Sequence, residues 1–280
     1  LISVVYAIFG RSHMMMEAIN IFFGMLLIIL CYKFVYLITS NDKRALTTSI
    51  IISLHPILFY LSTISIRDII VIYLLTLSIY FFTIWVKKDL FIYFVLSILF
   101  SSIQYFFHGP LILLIFPMIF FYFIRIFKKI FNNLNILSIF TLLFFSITIY
   151  VFYATDLLLL INIPYVGYIF DMDLSNKLLE IYNNANFGST TFPSYIFPNN
   201  YFEIFLFFPL KVLHFLFGPF IWEVNTLSKL IIFLDSSLYL ILFVIILTYI
   251  NKIFKNESLT YIFLFSLFII FIYTLGTGNY

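Results

Sequence analysis

Apolar stretches long enough to cross a membrane recur along most of this chain. A bilayer core needs about 20 apolar residues in helical form, with roughly 17 to 25 tolerated. Eight stretches qualify, at approximately residues 18–38, 45–61, 69–86, 90–107, 111–127, 134–153, 229–250 and 259–275. Because 64% of the 280 residues are hydrophobic and only 10% are charged, a water-soluble globule is excluded. The sequence predicts an all-α polytopic bundle, a single transmembrane domain over residues 1–280.

Several classes of function find no support in the sequence. Residues 1–9 resemble the end of an earlier helix, so we expect the chain to be an internal piece of a longer protein. A single cysteine, Cys31, allows neither a disulfide framework nor a cysteine metal site. The net charge is +3, with the basic residues in short clusters, so nucleic acid is not an expected partner. Walker, Rossmann, HExxH and nucleophile-elbow motifs are lacking, and we expect no metal and no cofactor.

Basic residues fall mainly in alternate loops, and this pattern predicts the orientation of the chain. Lysine and arginine in short loops stay on the cytoplasmic side. Nine of them lie in one set of loops, namely Lys43, Arg44, Lys87, Lys88, Arg125, Lys128, Lys129, Lys252 and Lys255. Four lie in the opposite set, namely Arg11, Arg67, Lys177 and Lys211. The nine-residue side is therefore predicted to be cytoplasmic, in a multi-pass protein of the bacterial inner membrane.

This orientation makes residues 154–228 one long external loop. Residues 204–217 are apolar, but a crossing there would move Lys252 and Lys255 outside, and Pro209 interrupts the stretch. We therefore expect interfacial or re-entrant helices within the loop. Its remaining part mixes amide side chains with aromatic residues, which suits either carbohydrate binding or a solvated loop.

Arg67 and Asp68 are adjacent opposite charges in a short external turn between two apolar helices. Asp68 is predicted at the N-terminus of the next helix, where its carboxylate can cap free N–H groups. Arg67 can then bind a phosphate or diphosphate through its planar guanidinium fork. His108 lies in the next external turn, on the same face of the membrane, as either a solvated cap or a proton-transfer group.

A second polar group is predicted late in the external loop. Lys211 and His214 are three residues apart on one helix face, and Trp222 and Glu223 follow shortly after. These residues indicate either an interfacial anchor with a snorkelling lysine or a cradle for a lipid-linked diphosphate. Asp235 lies within an apolar helix, where a carboxylate is costly, so we expect it to face the protein interior.

Three stretches resemble the Wzy/EpsG-like oligosaccharide repeat-unit polymerases, GT-C-like membrane enzymes of bacterial surface polysaccharide clusters. They are residues 61–84, 209–222 and 276–280. The resemblance implies transfer of a growing chain from undecaprenyl diphosphate onto another lipid-linked repeat unit, in capsule, exopolysaccharide or O-antigen synthesis. It also implies that Arg67 and Lys211 bind the diphosphate and that Asp68 or His108 is the catalytic base.

Other functions remain open at this point. One is a polyprenyl-phosphate-sugar-dependent GT-C glycosyltransferase, another is a flippase or transporter of lipid-linked oligosaccharide, and a third is a scaffold. A transporter is expected to show repeats and broken or charged helices around a midplane cavity, whereas most polar residues here lie in external turns and one loop. The sequence thus favours an enzyme acting on polyprenyl-diphosphate-linked oligosaccharide among membrane lipid, with other polysaccharide-assembly proteins as candidate partners.

The predicted orientation can be tested by cysteine accessibility in a Cys31→Ser background. In intact cells a membrane-impermeant thiol reagent should label Asn186→Cys, because residues 154–228 are expected outside. The same reagent should label Lys87→Cys and Lys128→Cys only after the membrane is opened. Labelling of position 186 only in opened membranes would contradict the orientation.

Overall fold

The computed structural model describes residues 13–63, 68–130, 193 and 201–276. Within these ranges the chain forms helices and turns and no strand, which confirms the polytopic all-α fold class. Contacts divide the chain into two compact units, Leu1–Ile115 with Asn256–Ile262 and Phe116–Lys255 with Phe263–Tyr280. The predicted span at 134–153 and most of the predicted external loop lie outside the described residues.

The first unit is built from helices that follow one another closely along the chain. They are α1 (His13–Thr39), α2 (Asp42–Ser53), α3 (Pro56–Thr63), α4 (Asp68–Lys88) and α5 (Phe91–Gln104), followed by a 3-10 helix (Gly109–Leu114). Helix α1 packs against α2, α3 and α4, and α4 packs against α5. The side chain of Asn41 caps α2 by accepting a hydrogen bond from the N–H of Arg44 at 3.0 Å.

The predicted span at 45–61 is wrong in one respect, because the structure has two helices there. Helix α2 ends at Ser53, and α3 begins at Pro56. Proline lacks an N–H donor and disfavours helical backbone at the residue before it, here His55. The chain therefore turns at Leu54 and His55, and two shorter helices replace the single predicted span.

Helices α4 and α5 form an antiparallel pair, joined by a tight turn in which Asp89 has a φ of 59°. The Ser78 hydroxyl of α4 donates to the Ser97 carbonyl of α5 at 2.8 Å, and both serines are fully buried. This bond lets a hydroxyl sit inside an apolar pair at little cost. It also fixes the level at which the two helices face each other.

Glycine at position 24 permits a close approach of α1 and α3. A Cβ added at Gly24 would lie 3.0 Å from the Cβ of Ser62 and 4.0 Å from Cγ1 of Ile69. This contact is tighter than nine in ten real Cβ contacts, so a larger residue would require Ser62 of α3 to move by a few tenths of an ångström. Next to this contact, Leu27 packs with Ile69, Ile70 and Leu74 in the apolar core of the unit.

The two ends of the first unit can be distinguished by their polar residues. At one end, the Lys87 ammonium near the end of α4 donates to the Leu37 carbonyl near the end of α1. A cation at the last turn of a helix is favourable, because the free carbonyls there carry partial negative charge. Asp68 begins α4 and therefore lies at the opposite end of the unit.

The second unit contains most of α6 (Ile115–Ile130), then α7 (Tyr201–Phe217), a short 3-10 helix (Ile221–Glu223), α8 (Leu227–Thr248), α9 (Ile250–Lys255) and the C-terminal part of α10 (Glu257–Gly276). Aromatic rings join these helices. The pairs are Phe121 with Phe265, Phe208 with Phe271, and Phe217 with Phe243, each with ring centroids 5.3 Å apart. Such edge-to-face and tilted pairs stabilise packing beyond the apolar area that they bury.

Helix α7 differs from the sequence-based expectation at Pro209. That proline was expected to interrupt residues 204–217, but the helix continues through it and ends at Phe217, just before Gly218 and Pro219. An internal proline removes one backbone hydrogen bond and bends a helix. Packing of the neighbouring Phe208 on Phe271 supports the helix at this point.

Among the described helices, three are long and apolar enough to cross a membrane: Glu17–Thr39, Asp68–Lys88 and Lys229–Thr248. The shorter apolar helices are Phe91–Gln104, Leu111–Phe127, Leu206–Phe217 and Glu257–Phe271. The predicted spans at 18–38, 69–86 and 229–250 thus correspond to long helices. The predicted total of eight spans stays a prediction.

Asp235 faces the protein interior, as the sequence predicted. Only 7% of the residue is exposed, and its carboxyl is hydrogen-bonded to the Tyr239 side chain one turn further along α8. Burial against a partner is the arrangement that makes a carboxyl group tolerable in an apolar helix.

Replacing Asp235 should separate hydrogen bonding from charge. Asp235→Asn keeps an acceptor for Tyr239, so we expect a smaller drop in the melting temperature of the detergent-solubilised protein than for Asp235→Leu. A hydrogen bond of this kind is worth about 0.6 kcal/mol on average in membrane proteins. As the matched control, Tyr239→Phe alone should lower the melting temperature of the protein. Added to the Asp235→Leu variant, it should leave the melting temperature of that variant unchanged. Equal melting temperatures for the asparagine and leucine variants would contradict this role.

Candidate functional site

The first candidate site lies at the end of the first unit where α4 begins. Asp68 is the first residue of α4 and is exposed, as predicted for a residue at a helix N-terminus. His108 follows α5 and is half-buried. The backbone N–H of His108 donates to the backbone carbonyl of Gln104 at 2.8 Å. The backbone carbonyl of His108 accepts from the N–H of Leu111 at 3.1 Å. Arg67 lies outside the described residues.

The antiparallel α4–α5 pair brings Asp68 and His108 to the same end of the unit. Ser78 lies beside Ser97, and both helices rise by about 1.5 Å per residue. The first turn of α4 therefore lies at the level of the turn that follows α5. Packing agrees with this register, because Ile103 and Phe107 lie against the apolar core that contains Ile69 and Ile70. The two candidate catalytic residues share one end of the unit, as the sequence predicted.

Helix α5 also carries buried polar side chains, which did not enter the sequence-based prediction. Ser97, Ser101 and Gln104 are all fully buried. Their spacing of four and then three residues places them on one face of the helix. Polar residues at helical spacing within an apolar segment were the signal that could have identified them.

The second candidate site lies in the second unit and joins α7 to the short 3-10 helix Ile221–Glu223. His214 Nε2 lies 3.2 Å from Glu223 Oε1, and the two side chains are 2% and 10% exposed. The other carboxylate oxygen, Oε2, accepts from the Phe220 N–H at 2.9 Å. Glu223 thus fixes the 3-10 helix against α7, the helix that carries both His214 and Lys211.

The hydrogen bonds of His214 indicate that the His214–Glu223 pair shares a proton. Its Nδ1 lies 3.0 Å from the Leu210 carbonyl oxygen, and a carbonyl can only accept, so Nδ1 carries hydrogen. The contact between Nε2 and Glu223 Oε1 then needs a second hydrogen, on the ring or on the carboxyl group. A buried hydrogen therefore lies between His214 Nε2 and Glu223 Oε1.

Aromatic rings extend from the His214–Glu223 pair to the protein surface. The His214 ring meets Phe220 edge-to-face with centroids 4.9 Å apart, and Phe220 stacks on Trp222 at 4.9 Å. Trp222 is 75% exposed. An indole held in this way suits either the membrane interface or the C–H face of a sugar.

Lys211 is fully buried, so it does not reach towards water in the way expected of a snorkelling anchor. Burial lowers the pKa of its ammonium group to about 7. An anion that arrived beside this amine would favour its charged form.

Within the described residues, no group of three or more histidine, cysteine or acidic side chains is arranged to hold a metal ion.

Comparison with known proteins identifies the family. The family model described as dolichyl-phosphate-mannose-protein mannosyltransferase matches residues 1–156, which is more than half of the chain. No curated protein and no solved structure matches the chain. The matched residues include Asp68, His108 and the buried polar face of α5, whereas the Lys211–Glu223 group lies beyond them. The GT-C-like part of the expectation is confirmed, and the chain belongs to the dolichyl-phosphate-mannose-protein mannosyltransferase family of GT-C-like membrane glycosyltransferases.

Proposed function

We propose that this protein transfers a sugar from a polyprenyl-phosphate-linked donor to a hydroxyl group at the non-cytoplasmic face of the membrane. The observation that carries this proposal is the family match over residues 1–156, which covers the end of the first unit where Asp68 and His108 lie. The family description names dolichyl-phosphate mannose, a sugar on a polyprenyl monophosphate. A donor of that class needs no nucleotide and fits a chain embedded in lipid.

The proposed chemistry requires a base and a cation at one place. The acceptor oxygen forms a bond to the anomeric carbon while the bond from that carbon to the phosphate oxygen breaks. The phosphate leaves with the electron pair, and the hydroxyl proton passes to a base. Asp68 is our first candidate for the base, because its carboxylate is exposed at the start of α4, and His108 is the second. Arg67 precedes Asp68 and would bind the leaving phosphate through its guanidinium fork.

The Lys211–Glu223 group of the second unit is proposed to bind substrate. Lys211 would gain charge beside a phosphate, and the exposed Trp222 ring offers a face on which an apolar or sugar surface can lie. His214 and Glu223 hold this ring through Phe220. Their role in the proposal is to position Trp222.

A second candidate function is the polymerisation of oligosaccharide repeat units carried on undecaprenyl diphosphate. Its support is the resemblance of residues 61–84, 209–222 and 276–280 to Wzy/EpsG-like polymerases. The two candidates differ in the leaving group, which is a monophosphate in one and a diphosphate in the other. In the polymerase reaction the acceptor would be another lipid-linked repeat unit.

Membranes containing the full-length protein can distinguish the two functions. They would be supplied separately with polyprenyl-phosphate mannose and with oligosaccharide on polyprenyl diphosphate, and loss of sugar from each lipid would be followed. Release of free polyprenyl phosphate from the first supports the proposed function. Elongation of the second, with the first left intact, would contradict the proposed function and support the polymerase.

Substitution of Arg67 tests the proposed phosphate contact. Arg67→Lys keeps the charge but loses the two-pronged geometry, so we expect a clear loss of transfer, and a larger loss for Arg67→Ala. A charge-assisted hydrogen bond is worth about 1.5–3 kcal/mol, which corresponds to a rate lower by roughly one to two orders of magnitude. Initial rates in membranes holding equal amounts of protein are the measurement.

Arg44 offers a matched control for these variants. It is exposed in the first turn of α2, at the end of the first unit opposite Asp68. Arg44→Lys and Arg44→Ala should leave the rate unchanged. Wild-type rates for both Arg67 variants would remove the proposed phosphate contact.

A further inference from the structure

Two buried side chains at the end of α5 stand out by their hydrogen bonding. Gln104 and Ser101 are fully buried. Within the part of the chain that the structure describes, three of their polar groups have no hydrogen-bond partner. They are the Gln104 amide nitrogen, the Gln104 amide oxygen and the Ser101 hydroxyl. A buried polar group that is left unpaired destabilises the folded protein.

The unpaired hydroxyl of Ser101 differs from the hydroxyls of other serine and threonine residues on α4 and α5. Serine and threonine within helices commonly bond to the carbonyl four residues earlier. Ser102 does so to Ile98 at 2.9 Å, and Thr76 and Thr83 do so on α4. The Ser101 hydroxyl does not make that bond. It lies three residues before Gln104, so both groups occupy one face of α5.

The position of the pair relates it to the proposed reaction. Gln104 is the last residue of α5, and its backbone carbonyl accepts hydrogen bonds from the backbone N–H groups of Phe107 and His108 at 2.9 and 2.8 Å. Gln104 therefore lies one turn before His108 along the chain, at the end of the unit where Asp68 begins α4. The residues after Gln104 form a turn in which Phe106 is 81% exposed. A turn opens more readily than the middle of a helix, so this turn is the route by which we expect a ligand to reach the pair.

The chemistry of the pair fits the hydroxyl groups of a sugar. A glutamine amide offers two donor hydrogens and an oxygen acceptor, and the serine hydroxyl can both donate and accept. Neighbouring hydroxyls of a sugar ring also donate and accept, so one ring edge can satisfy several of these atoms. The pair is uncharged, so it offers no cation to pair with the phosphate.

We propose that Gln104 and Ser101 form a subsite that binds the hydroxyl groups of the donor's sugar. This inference rests on the proposed function, because it takes a lipid-linked sugar as the ligand. The subsite makes Gln104 a substrate-binding residue and a determinant of sugar specificity. A sugar that lacks the matching hydroxyl leaves the amide unpaired and therefore binds less well. This difference in binding gives the specificity.

The test compares binding of two probes, polyprenyl-phosphate mannose and polyprenyl phosphate without sugar, to the purified full-length protein. The ratio of the two dissociation constants reports the contribution of the sugar alone. Gln104→Leu should reduce the advantage of the sugar-bearing probe about tenfold, and Ser101→Ala should reduce it roughly threefold. Both variants should bind polyprenyl phosphate as the wild type does. Ser102→Ala is the matched control and should change neither constant, because that hydroxyl is already bonded within the helix.

Stability supplies a second readout that separates binding from packing. Removing an unpaired buried amide should not lower the melting temperature, so Gln104→Leu should melt at or above the wild-type temperature. A stable Gln104→Leu variant that keeps the full preference for the sugar-bearing probe overturns the subsite. If Gln104→Leu does not accumulate, the comparison of Ser101→Ala with Ser102→Ala decides, and equal preference in those two overturns the proposal. A wild type that binds neither probe overturns the proposed function itself, which is a different result from the loss of sugar preference.

Discussion

Polar groups within an apolar bundle must find their hydrogen bonds inside the protein, because hydrocarbon offers none. Much of the first unit is organised by this constraint. The Ser78 hydroxyl bonds to the Ser97 carbonyl, and this contact sets the level of α4 against α5. The Lys87 ammonium bonds to a carbonyl at the end of α1. Together these contacts give the unit one end that carries lysine and another that carries Asp68 and His108.

The sequence was sufficient to predict where long helices form and which end of the first unit carries the candidate catalytic residues. Apolar length identifies α1, α4 and α8, since each is about as long as a bilayer core is thick. Proline was harder to interpret. Pro56 separates two helices and Pro209 lies within one, because tertiary packing decides how much a missing N–H costs. Composition alone cannot supply that packing.

The candidate site was predictable in its charged residues and not in its neutral ones. Charges such as Asp68 are conspicuous in an apolar sequence, whereas Gln104 and Ser101 are ordinary residues until their burial is known. Lys211 illustrates the same limit, because a lysine near a membrane boundary is expected to reach water and this one is enclosed. The proton shared by His214 and Glu223 likewise depends on distances that spacing along the chain does not reveal.

Gly24 has a bearing on how variants of this protein are interpreted. The space that it leaves open lets α3 lie against α1, and α3 is followed after four residues by Asp68. A side chain at position 24 would therefore press on Ser62 and move α3 by a few tenths of an ångström, although it touches no reacting atom. Activity lost on replacing Gly24 would report a change in the spacing of α1 and α3. A mutational survey that counted Gly24 among the catalytic residues would therefore make the catalytic centre larger than it is.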